Sequence, residues 1–381
     1  MIGVAPEEVR SILIMLFRQI GDVLLSTPTI RAFKEAFPQA TMSVAVFKES
    51  APILEGNPFI DRIIVVDPKW KALPAMERLR RERAVLGEIR SAHVDLSVNL
   101  TTGDRGLFLS LYSGAGHRVG LLPTQRPARL MRMIYNLPFQ VPNTHTHMVE
   151  RHLESIRALG YEPLRKRPEL FFSKEEEDRL LSLLIAQGWS ERRQAEGRFL
   201  VQVHPVSRWI FKCWQDDAMA AAIDHLIGER GVDVVLTGGP AAIEREKCDR
   251  ILSLTRHRPM SLVGKTSLRE LAALSKRADL FFGVDSAPMH IAAAMETPVV
   301  TLFGPSVAEL WRPWGEGHTT VIKDFSCVPC SQDGCGGSKR SRCLEEMTPK
   351  EVIGEIDRSL SLLKAARREP SVIRLLPAIG V

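Results

Sequence analysis

One segment, residues 278–304, constrains the fold more than any other, because it joins two apolar runs through a polar turn and a run of small residues. The first apolar run ends at Val284, and the second begins at Val299. The turn contains Pro288, which suits the first turn of a helix, where its missing N–H is not needed. Strand, turn, helix and strand in this order predict a β–α–β unit of a parallel sheet.

The polar turn of this segment also predicts a ligand site. It directs backbone N–H groups at one point, with Ser286, Ala287 and His290 beside them. Free N–H groups at the start of a helix bind phosphate well. Asp285, at the end of the strand, can accept hydrogen bonds from sugar hydroxyls. We therefore expect a sugar nucleotide at the carboxyl edge of the sheet.

The alternation of strands and helices runs through the chain twice. Predicted strands of the first half lie at 11–17, 41–47, 62–66, 94–100 and 118–121, with helices at 70–91, at 146–159 and near residue 51. Predicted strands of the second half lie at 199–204, 233–237, 261–263 and 279–284. Such alternation indicates parallel sheets with helices on both faces.

The domain boundary is predicted in the proline-containing, basic stretch 160–168. We expect a first domain at 1–168 and a second domain at 169–348. An amphipathic helix at 349–368 is expected to pack back on the first domain, and 369–381 forms a tail.

The composition is that of a soluble globular protein: of 381 residues, 45% are hydrophobic and 25% charged. No apolar run approaches the roughly 20 residues that span a bilayer. Glu7 and Glu8 precede the first apolar run, where a secretory signal would have basic residues. These features predict a cytoplasmic protein.

The net charge of +6 comes entirely from the first half. Residues 1–172 contain 23 Lys and Arg against 17 Asp and Glu, whereas residues 173–381 contain 28 of each. Arg126, Arg129 and Arg132 lie close together in the basic half. The excess indicates an acidic partner, either a phosphorylated acceptor, an anionic membrane or nucleic acid, or else a basic solvated surface. Nucleic acid is disfavoured, because aromatics are only 6% and no nucleic-acid module is recognised.

The polar stretch 18–22 follows the first predicted strand directly. Gly21 allows a sharp turn, which places Asp22 at the mouth of the sheet. An aspartate with an ordinary pKa of about 3.9 is ionised at neutral pH and can take a proton from an attacking hydroxyl. The alternative is that Asp22 only caps a helix. Its position at the end of a strand favours catalysis.

Two loops after predicted strands of the second half also contain candidate ligand contacts. In 203–214, Ser207 and Lys212 can contact phosphate oxygens, unless the loop is a surface loop with a solvated lysine. Gly238 and Gly239 permit close approach of a ligand, although the same Gly-Gly-Pro turn is also an ordinary turn.

Four cysteines lie within 17 residues of a Gly-, Ser- and Lys-rich stretch: Cys327, Cys330, Cys335 and Cys343. In a cytoplasmic protein such a cluster indicates a structural metal more than disulfides. The spacing is not that of a standard zinc finger, so free thiols or redox-active pairs are the alternative.

Four stretches in this order resemble the lipopolysaccharide heptosyltransferases of glycosyltransferase family 9: residues 20–28, the loop with Lys212, residues 237–240 and residues 285–294. The resemblance runs from about residue 11 to 345 and is strongest to the heptosyltransferase III branch. Ala287 stands where many relatives have glycine. The Gly-Gly-Pro turn has no acidic residue directly after it, which leaves Glu244 or Glu246 for the ribose.

The resemblance implies the α/β fold called GT-B, in which two Rossmann-like domains have parallel sheets that face each other across a cleft. It implies ADP-heptose as donor and the inner core of lipopolysaccharide as acceptor. The enzyme would be cytoplasmic and peripheral on the inner membrane, with an anionic membrane surface as a further partner and no nucleic acid.

The implied reaction is one inverting displacement without a catalytic metal. Asp22 would deprotonate the acceptor hydroxyl, while Ser207, Lys212 and the amides near Ser286 would stabilise the leaving diphosphate. The acceptor would then bind to the first domain, where four arginines are expected to contact it: Arg18, Arg126, Arg129 and Arg132.

Three other functions fit parts of the sequence. Another GT-B enzyme, such as a transferase for a different nucleotide sugar or an epimerase, would share the fold. A non-catalytic two-lobed binding protein would close on its ligand without turnover, and its exported forms need a signal peptide that the sequence does not show. A thiol-based metal or redox sensor would leave Asp22 and residues 285–290 unexplained.

Overall fold

The computed structural model describes residues 4–122, 128–141, 143 and 145–368. The chain divides after Phe171 into two compact units, and each is an α/β domain built on a six-stranded parallel sheet. The sequence places the boundary after residue 168. Arg126 and the tail 369–381 lie outside the described residues.

The first unit has the strand order β3-β2-β1-β4-β5-β6. Its strands are β1 (Ser11–Leu16), β2 (Thr41–Phe47), β3 (Arg62–Val66), β4 (Leu96–Asn99), β5 (His117–Leu121) and β6 (Leu137–Phe139). Its described helices are α1 (Ile20–Leu25), α2 (Thr27–Ala36), α3 (Ala75–Ser91), α4 (Asp104–Tyr112), α5 (Ala128–Ile134) and α6 (Met148–Arg157). Strand β1 is buried along its whole length, as expected of a central strand covered by helices on both faces.

The second unit has the order β12-β11-β10-β7-β8-β9. Its strands are β7 (Leu200–His204), β8 (Asp233–Leu236), β9 (Met260–Ser261), β10 (Leu280–Val284), β11 (Val299–Phe303) and β12 (Thr319–Ile322). Its described helices are α7 (Lys174–Ala186), α8 (Glu191–Ala195), α9 (Asp216–Asp224), α10 (Ala242–Leu254), α11 (Leu268–Arg277), α12 (Ala287–Ala294), α13 (Ala308–Trp311), α14 (Arg342–Glu345) and α15 (Pro349–Arg368).

Counted from the first strand of each unit, the two sheets have the same strand order, which is that of the Rossmann fold. The direction of winding changes between β1 and β4 in the first unit and between β7 and β10 in the second. Ligands of open α/β sheets bind outside the carboxyl ends of strands at such switch points. The topology therefore predicts that ligand-binding residues follow these four strands.

Pro74 shortens the helix predicted over 70–91. A 3₁₀ turn, Pro68–Ala72, comes first, and α3 begins only at Ala75. Proline lacks the N–H that a helix interior needs and restricts the residue before it, so the helix starts after Pro74. The helix expected near residue 51 is likewise a single 3₁₀ turn, Ala51–Ile53.

The buried face of α15 belongs to the second unit. Val352, Ile356 and Leu360 are part of the core under the second sheet, and the helix contacts α9, β11 and β12. Asp357 accepts a hydrogen bond from Nε2 of His225 at 2.9 Å. The expected packing of this helix on the first domain stays a prediction. No described helix is long and apolar enough to cross a membrane.

Candidate active site

In the first unit, Asp22 lies just beyond the carboxyl end of β1, in the first turn of α1, and is 7% exposed. Arg18 Nε donates to its Oδ1 at 3.2 Å. The carboxylate also accepts from the backbone N–H of Gln19, the N-cap of α1, so it makes a capping contact as well. Burial raises the pKa of Asp22 above its ordinary value, and the Arg18 cation opposes this. Such a carboxylate is suited to accept a proton.

A polar network that sequence reasoning missed follows the neighbouring strand β4. Thr101 donates through Oγ1 to Asn99 Oδ1 at 2.8 Å, and Asn99 Nδ2 donates to Tyr135 Oη at 2.7 Å. Asn99 and Thr101 are buried. The available signal was a run of polar residues directly after a strand. The network lies at the same switch point as Asp22.

His152 is a second residue that the sequence did not single out. A ring N–H donates to the carbonyl of Leu25 at the end of α1, and burial lowers the pKa of His152 to about 4. The nearby cations Arg18 and Arg151 also disfavour its protonation. The ring is therefore neutral at pH 7, and cationic side chains lie near it.

The remaining acceptor arginines do not lie at the switch point. Arg129 and Arg132 are exposed on α5, which connects β5 to β6. Strand β5 is two strands from β1, or about 10 Å across the sheet. Arg126 falls outside the described residues, so of the four arginines the structure brings only Arg18 to Asp22.

In the second unit, an ion pair with one buried partner spans the switch point. Lys212 follows β7 and Asp285 follows β10, and Nζ donates to Oδ2 at 2.7 Å. The two side chains are 23% and 7% exposed. A partly exposed ammonium held by a buried carboxylate can turn toward a phosphate without leaving its partner.

The turn that carries Lys212 is the 3₁₀ turn Ile210–Lys212, and a distant segment fixes it from behind. Ser341 Oγ donates to the Phe211 carbonyl at 2.6 Å, and Trp214 Nε1 donates to the Met347 carbonyl at 2.9 Å. Both contacts reach across about 130 residues of sequence. The position of Lys212 therefore depends on residues 341–347 of the second unit.

Residues 278–304 form the predicted strand, turn, helix and second strand, with β10, α12 and β11 as the regular elements. Ser286 is the N-cap of α12, and Ala287 and Pro288 are its first two residues. Ser286 Oγ donates to the Val284 carbonyl at 3.2 Å rather than capping the helix. His290 is buried one turn later. The N–H groups at this helix start lie beside Asp285, where a phosphate was expected.

The loop after β7 places Ser207 beside Cys213. The Ser207 N–H donates to Cys213 Sγ at 3.3 Å, and Ser207 Oγ accepts from the Trp209 N–H at 3.3 Å. Ser207 is buried. Its hydroxyl thus shapes the loop, and contact with a phosphate stays a prediction.

His204, at the end of β7, is a further residue that sequence reasoning missed. Thr237 Oγ1 donates to the Val203 carbonyl at 3.0 Å, so it accepts from Nδ1–H of His204, also at 3.0 Å. Burial lowers the pKa of His204 to about 3, and the ring is neutral. Because Nδ1 carries the proton of the neutral ring, Nε2 has the lone pair that can accept a hydrogen bond.

In the glycine turn after β8, the space beside the two glycines is occupied by side chains of this protein. A Cβ on Gly239 would lie 2.3 Å from Glu244 Oε2, and a Cβ on Gly238 would lie 3.0 Å from Cys248 Sγ. The Gly239 N–H donates to Glu244 Oε2 at 2.7 Å. The glycines therefore allow close approach of side chains, and ligand contact stays a prediction. Of the two glutamates considered for the ribose, Glu244 reaches the turn.

The four clustered cysteines line one cavity of about 260 Å³ and are free thiols. In the part of the chain that the structure describes, no group of three or more His, Cys, Asp or Glu side chains could hold a metal ion. The structural metal considered from the sequence is therefore unsupported, and the free-thiol alternative agrees with the structure.

Comparisons with known proteins bear on the family of this chain. A model of glycosyltransferase family 9 (heptosyltransferase) matches residues 83–339. Lipopolysaccharide heptosyltransferase 3 of Escherichia coli K12 is 32% identical over 300 residues, which cover 78% of this chain and 84% of that protein. This relative agrees with the branch that the sequence resembles.

Solved structures are similar over nearly the whole chain. A family 9 glycosyl transferase from Veillonella parvula has a TM-score of 0.78 and 20% identity, and the match covers 93% of this chain and 98% of that one. The E. coli ADP-heptose lipopolysaccharide heptosyltransferase II has a TM-score of 0.71 and 22% identity over 93% and 99%. These likenesses confirm the α/β GT-B fold. By family model and by sequence identity, the chain belongs to glycosyltransferase family 9, the heptosyltransferases.

Proposed function

We propose that this protein transfers a heptose from ADP-heptose to the inner core of lipopolysaccharide. The observation that carries the proposal is the Lys212–Asp285 pair at the switch point of the second sheet, beside the start of α12. The pair offers a cation for phosphate and a carboxylate for hydroxyls at one place. The named relatives, lipopolysaccharide heptosyltransferase 3 and ADP-heptose heptosyltransferase II, support the same donor and acceptor.

The donor would bind in the second unit. Lys212 and the N–H groups at the start of α12 would contact the diphosphate, and their positive charge would stabilise the leaving ADP. Asp285 would accept from hydroxyls of the heptose. Glu244, already at the Gly-Gly turn, would accept from the ribose. Ser207, Gly238, Gly239, Ala287 and His290 would line the same site.

Asp22 would act as the general base. In one inverting displacement, its carboxylate takes the proton of the acceptor hydroxyl as that oxygen bonds to the anomeric carbon and the bond to ADP breaks. The raised pKa that burial gives Asp22 brings its basicity closer to that of a hydroxyl under attack.

The acceptor would bind to the basic first unit, with Arg18 beside the base and Arg129 and Arg132 further along the sheet. The inner core carries phosphate, which pairs well with arginine. The same basic surface would face the anionic membrane that holds the acceptor, as in a peripheral protein at the cytoplasmic side of the inner membrane.

A panel of nucleotide sugars tests the proposal directly. We expect nucleotide release with ADP-heptose and a heptosylated acceptor, and only slow hydrolysis when the acceptor is omitted. Faster turnover with a different nucleotide sugar would favour another GT-B transferase. Tight binding without turnover of any donor would favour a binding protein.

A further inference from the structure

The first half of α3 is exposed on nearly all sides. Farther along the helix, Val85 and Ile89 are buried against the first sheet. Met76 is 78% exposed and Leu79 43%, and Leu73, just before the helix, is 36% exposed. At 100° per residue, Met76 lies on the side of the helix opposite Val85 and Ile89, and Leu79 lies on the flank between the two sides. The helix thus has apolar side chains on its outward face as well as its core face.

The same segment is strongly basic. Between residues 69 and 83 there are two carboxylates and six cations, all six exposed: Lys69, Lys71, Arg78, Arg80, Arg81 and Arg83. Arg80 and Arg83 share the outward side with Met76. Both carboxylates are engaged, because Glu77 accepts from Arg81 at 2.8 Å and Glu82 accepts from Arg105. The outward face is therefore both apolar and cationic.

Helix α4 extends the apolar surface. The Arg105–Glu82 pair, with hydrogen bonds of 2.9 and 2.8 Å, holds the start of α4 beside α3. One turn after Arg105, Phe108 is 52% exposed, and Leu111 is 48% exposed. Exposed apolar residues are common singly, whereas a group of them ringed by cations marks an interaction surface.

We propose that the outward face of α3, with Phe108 and Leu111 of α4, docks on an anionic lipid bilayer, the helix lying in the interface. Apolar side chains at such a surface enter the acyl boundary while Lys and Arg meet lipid phosphates. Nucleic acid would use the cations and leave Met76 and Leu79 without a partner. The inference deepens the membrane association proposed above, on which it rests, by giving it a location separate from α5.

Vesicle flotation tests the surface without any sugar transfer. The wild-type chain should bind vesicles made of equal parts phosphatidylglycerol and phosphatidylcholine, and bind pure phosphatidylcholine much more weakly. Arg80→Glu with Arg83→Glu should weaken binding at least about 25-fold, at roughly 1 kcal/mol per charge lost. Met76→Ser with Leu79→Ser should weaken it at least about tenfold through lost apolar burial.

Matched variants in the second unit provide the controls. Ile243→Ser with Leu254→Ser removes two side chains that are each 51% exposed, and Arg192→Glu with Arg358→Glu reverses two exposed arginines. Both controls should bind vesicles like the wild type. Melting temperatures should confirm that all four double variants are folded.

Wild-type vesicle binding by both α3 variants, or equal binding to neutral vesicles, would overturn the proposal. So would failure of the wild-type chain to bind anionic vesicles at low salt, and capture of an acidic protein by α3 would then be the better explanation. Transfer to a water-soluble, deacylated core acceptor should be unchanged in the α3 variants. If the wild type shows no transfer, the proposed function fails, and the vesicle result still decides the docking surface.

Discussion

At the scale of single residues, the candidate carboxylates of the two units, Asp22 in the first and Asp285 in the second, have different environments. Asp22 is buried, burial raises its pKa, and Arg18 Nε donates to its carboxylate at 3.2 Å. Asp285 is held by Lys212 at 2.7 Å. Unlike environments give carboxylates unlike roles. Asp22 is suited to take up a proton, and Asp285 to position the Lys212 ammonium and to accept hydrogen bonds from hydroxyls.

Asp22→Asn should lower kcat by about 10²- to 10⁴-fold, because a general base is worth that much, while ADP affinity stays unchanged. Only the ionised carboxylate is a base, so kcat/KM should fall on the acid side as Asp22 protonates. Arg18→Gln removes the cation that lowers this pKa and should move the acid limb to higher pH. Turnover assays across pH beside calorimetry with ADP measure both effects. Wild-type turnover in the Asn variant would exclude Asp22 as the base.

Lys212→Ala should weaken ADP binding about 10- to 150-fold, since a charge-assisted contact contributes roughly 1.5–3 kcal/mol. Asp285→Asn should behave differently. It frees Lys212 for phosphate and removes an acceptor for sugar hydroxyls, so affinity should hold or rise for ADP and fall for ADP-heptose. Calorimetry with both ligands on both variants is the measurement. Equal losses for the two ligands in Asp285→Asn would contradict the division of roles.

At the scale of helices and strands, the sequence predicted those elements that have their own local signal. The apolar runs that become β1, β2 and β10 lie within a residue of their predicted bounds. Pro74 was visible as well, yet the charged residues on both sides of it suggested one helix. Short elements such as β6 and α8 have too few residues for a periodic pattern. Such elements are defined by their neighbours in space.

Helix α15 illustrates an element whose partner no local pattern could identify. Ile356 is fully buried in the core of the second unit. Ile356→Ala should lower the free energy of unfolding by about 2–5 kcal/mol, the range for large apolar residues cut to alanine in a core. Leu362→Ala, at a side chain 49% exposed, should stay within about 0.5 kcal/mol. Urea unfolding measures the free energy of unfolding of the two variants. Equal values for both would mean that the helix does not pack on the core as described.

At the scale of the whole molecule, the site depends on contacts that the sequence could not supply. The positions of Asp22, Lys212 and Asp285 after strands could be predicted, because in each sheet the carboxyl ends of the parallel strands lie at the same edge. The pairing of Lys212 with Asp285 could not, because 73 residues separate them and only the strand order brings β7 and β10 together. The buried neutral histidines, His152 and His204, have no sequence signal at all.

The charge excess of the first unit should make the acceptor KM more sensitive to salt than the donor KM. Exposed contacts are screened at 0.15 M salt, where the Debye length is about 8 Å, so raising salt should raise the acceptor KM more than the donor KM. Arg129→Glu with Arg132→Glu should do the same and leave ADP binding intact, while Arg192→Glu should change neither. Steady-state kinetics at several salt concentrations is the measurement. An acceptor KM that stays constant would contradict the prediction.

Stability should fall in mild acid. His152 and His204 are neutral when folded, with pKa values of about 4 and about 3, whereas an unfolded histidine titrates near 6.5. Between these values the unfolded chain binds more protons, so stability falls as pH drops below 6.5, by about 2 kcal/mol for each residue at pH 5. Urea unfolding at pH 7 and 5 measures this. His152→Gln should flatten the dependence, and the exposed His93→Asn should not.

The fixing of the Lys212 turn by Ser341 and Met347 has a consequence for how the protein is made. Domains fold in the order in which they are synthesised, and the first unit is complete when residue 171 has emerged. The donor lysine acquires its final support only when the chain has grown some 130 residues beyond it. A nascent chain therefore has a folded first unit long before its donor site is complete, and it can bind donor only after Ser341 and Met347 have been added.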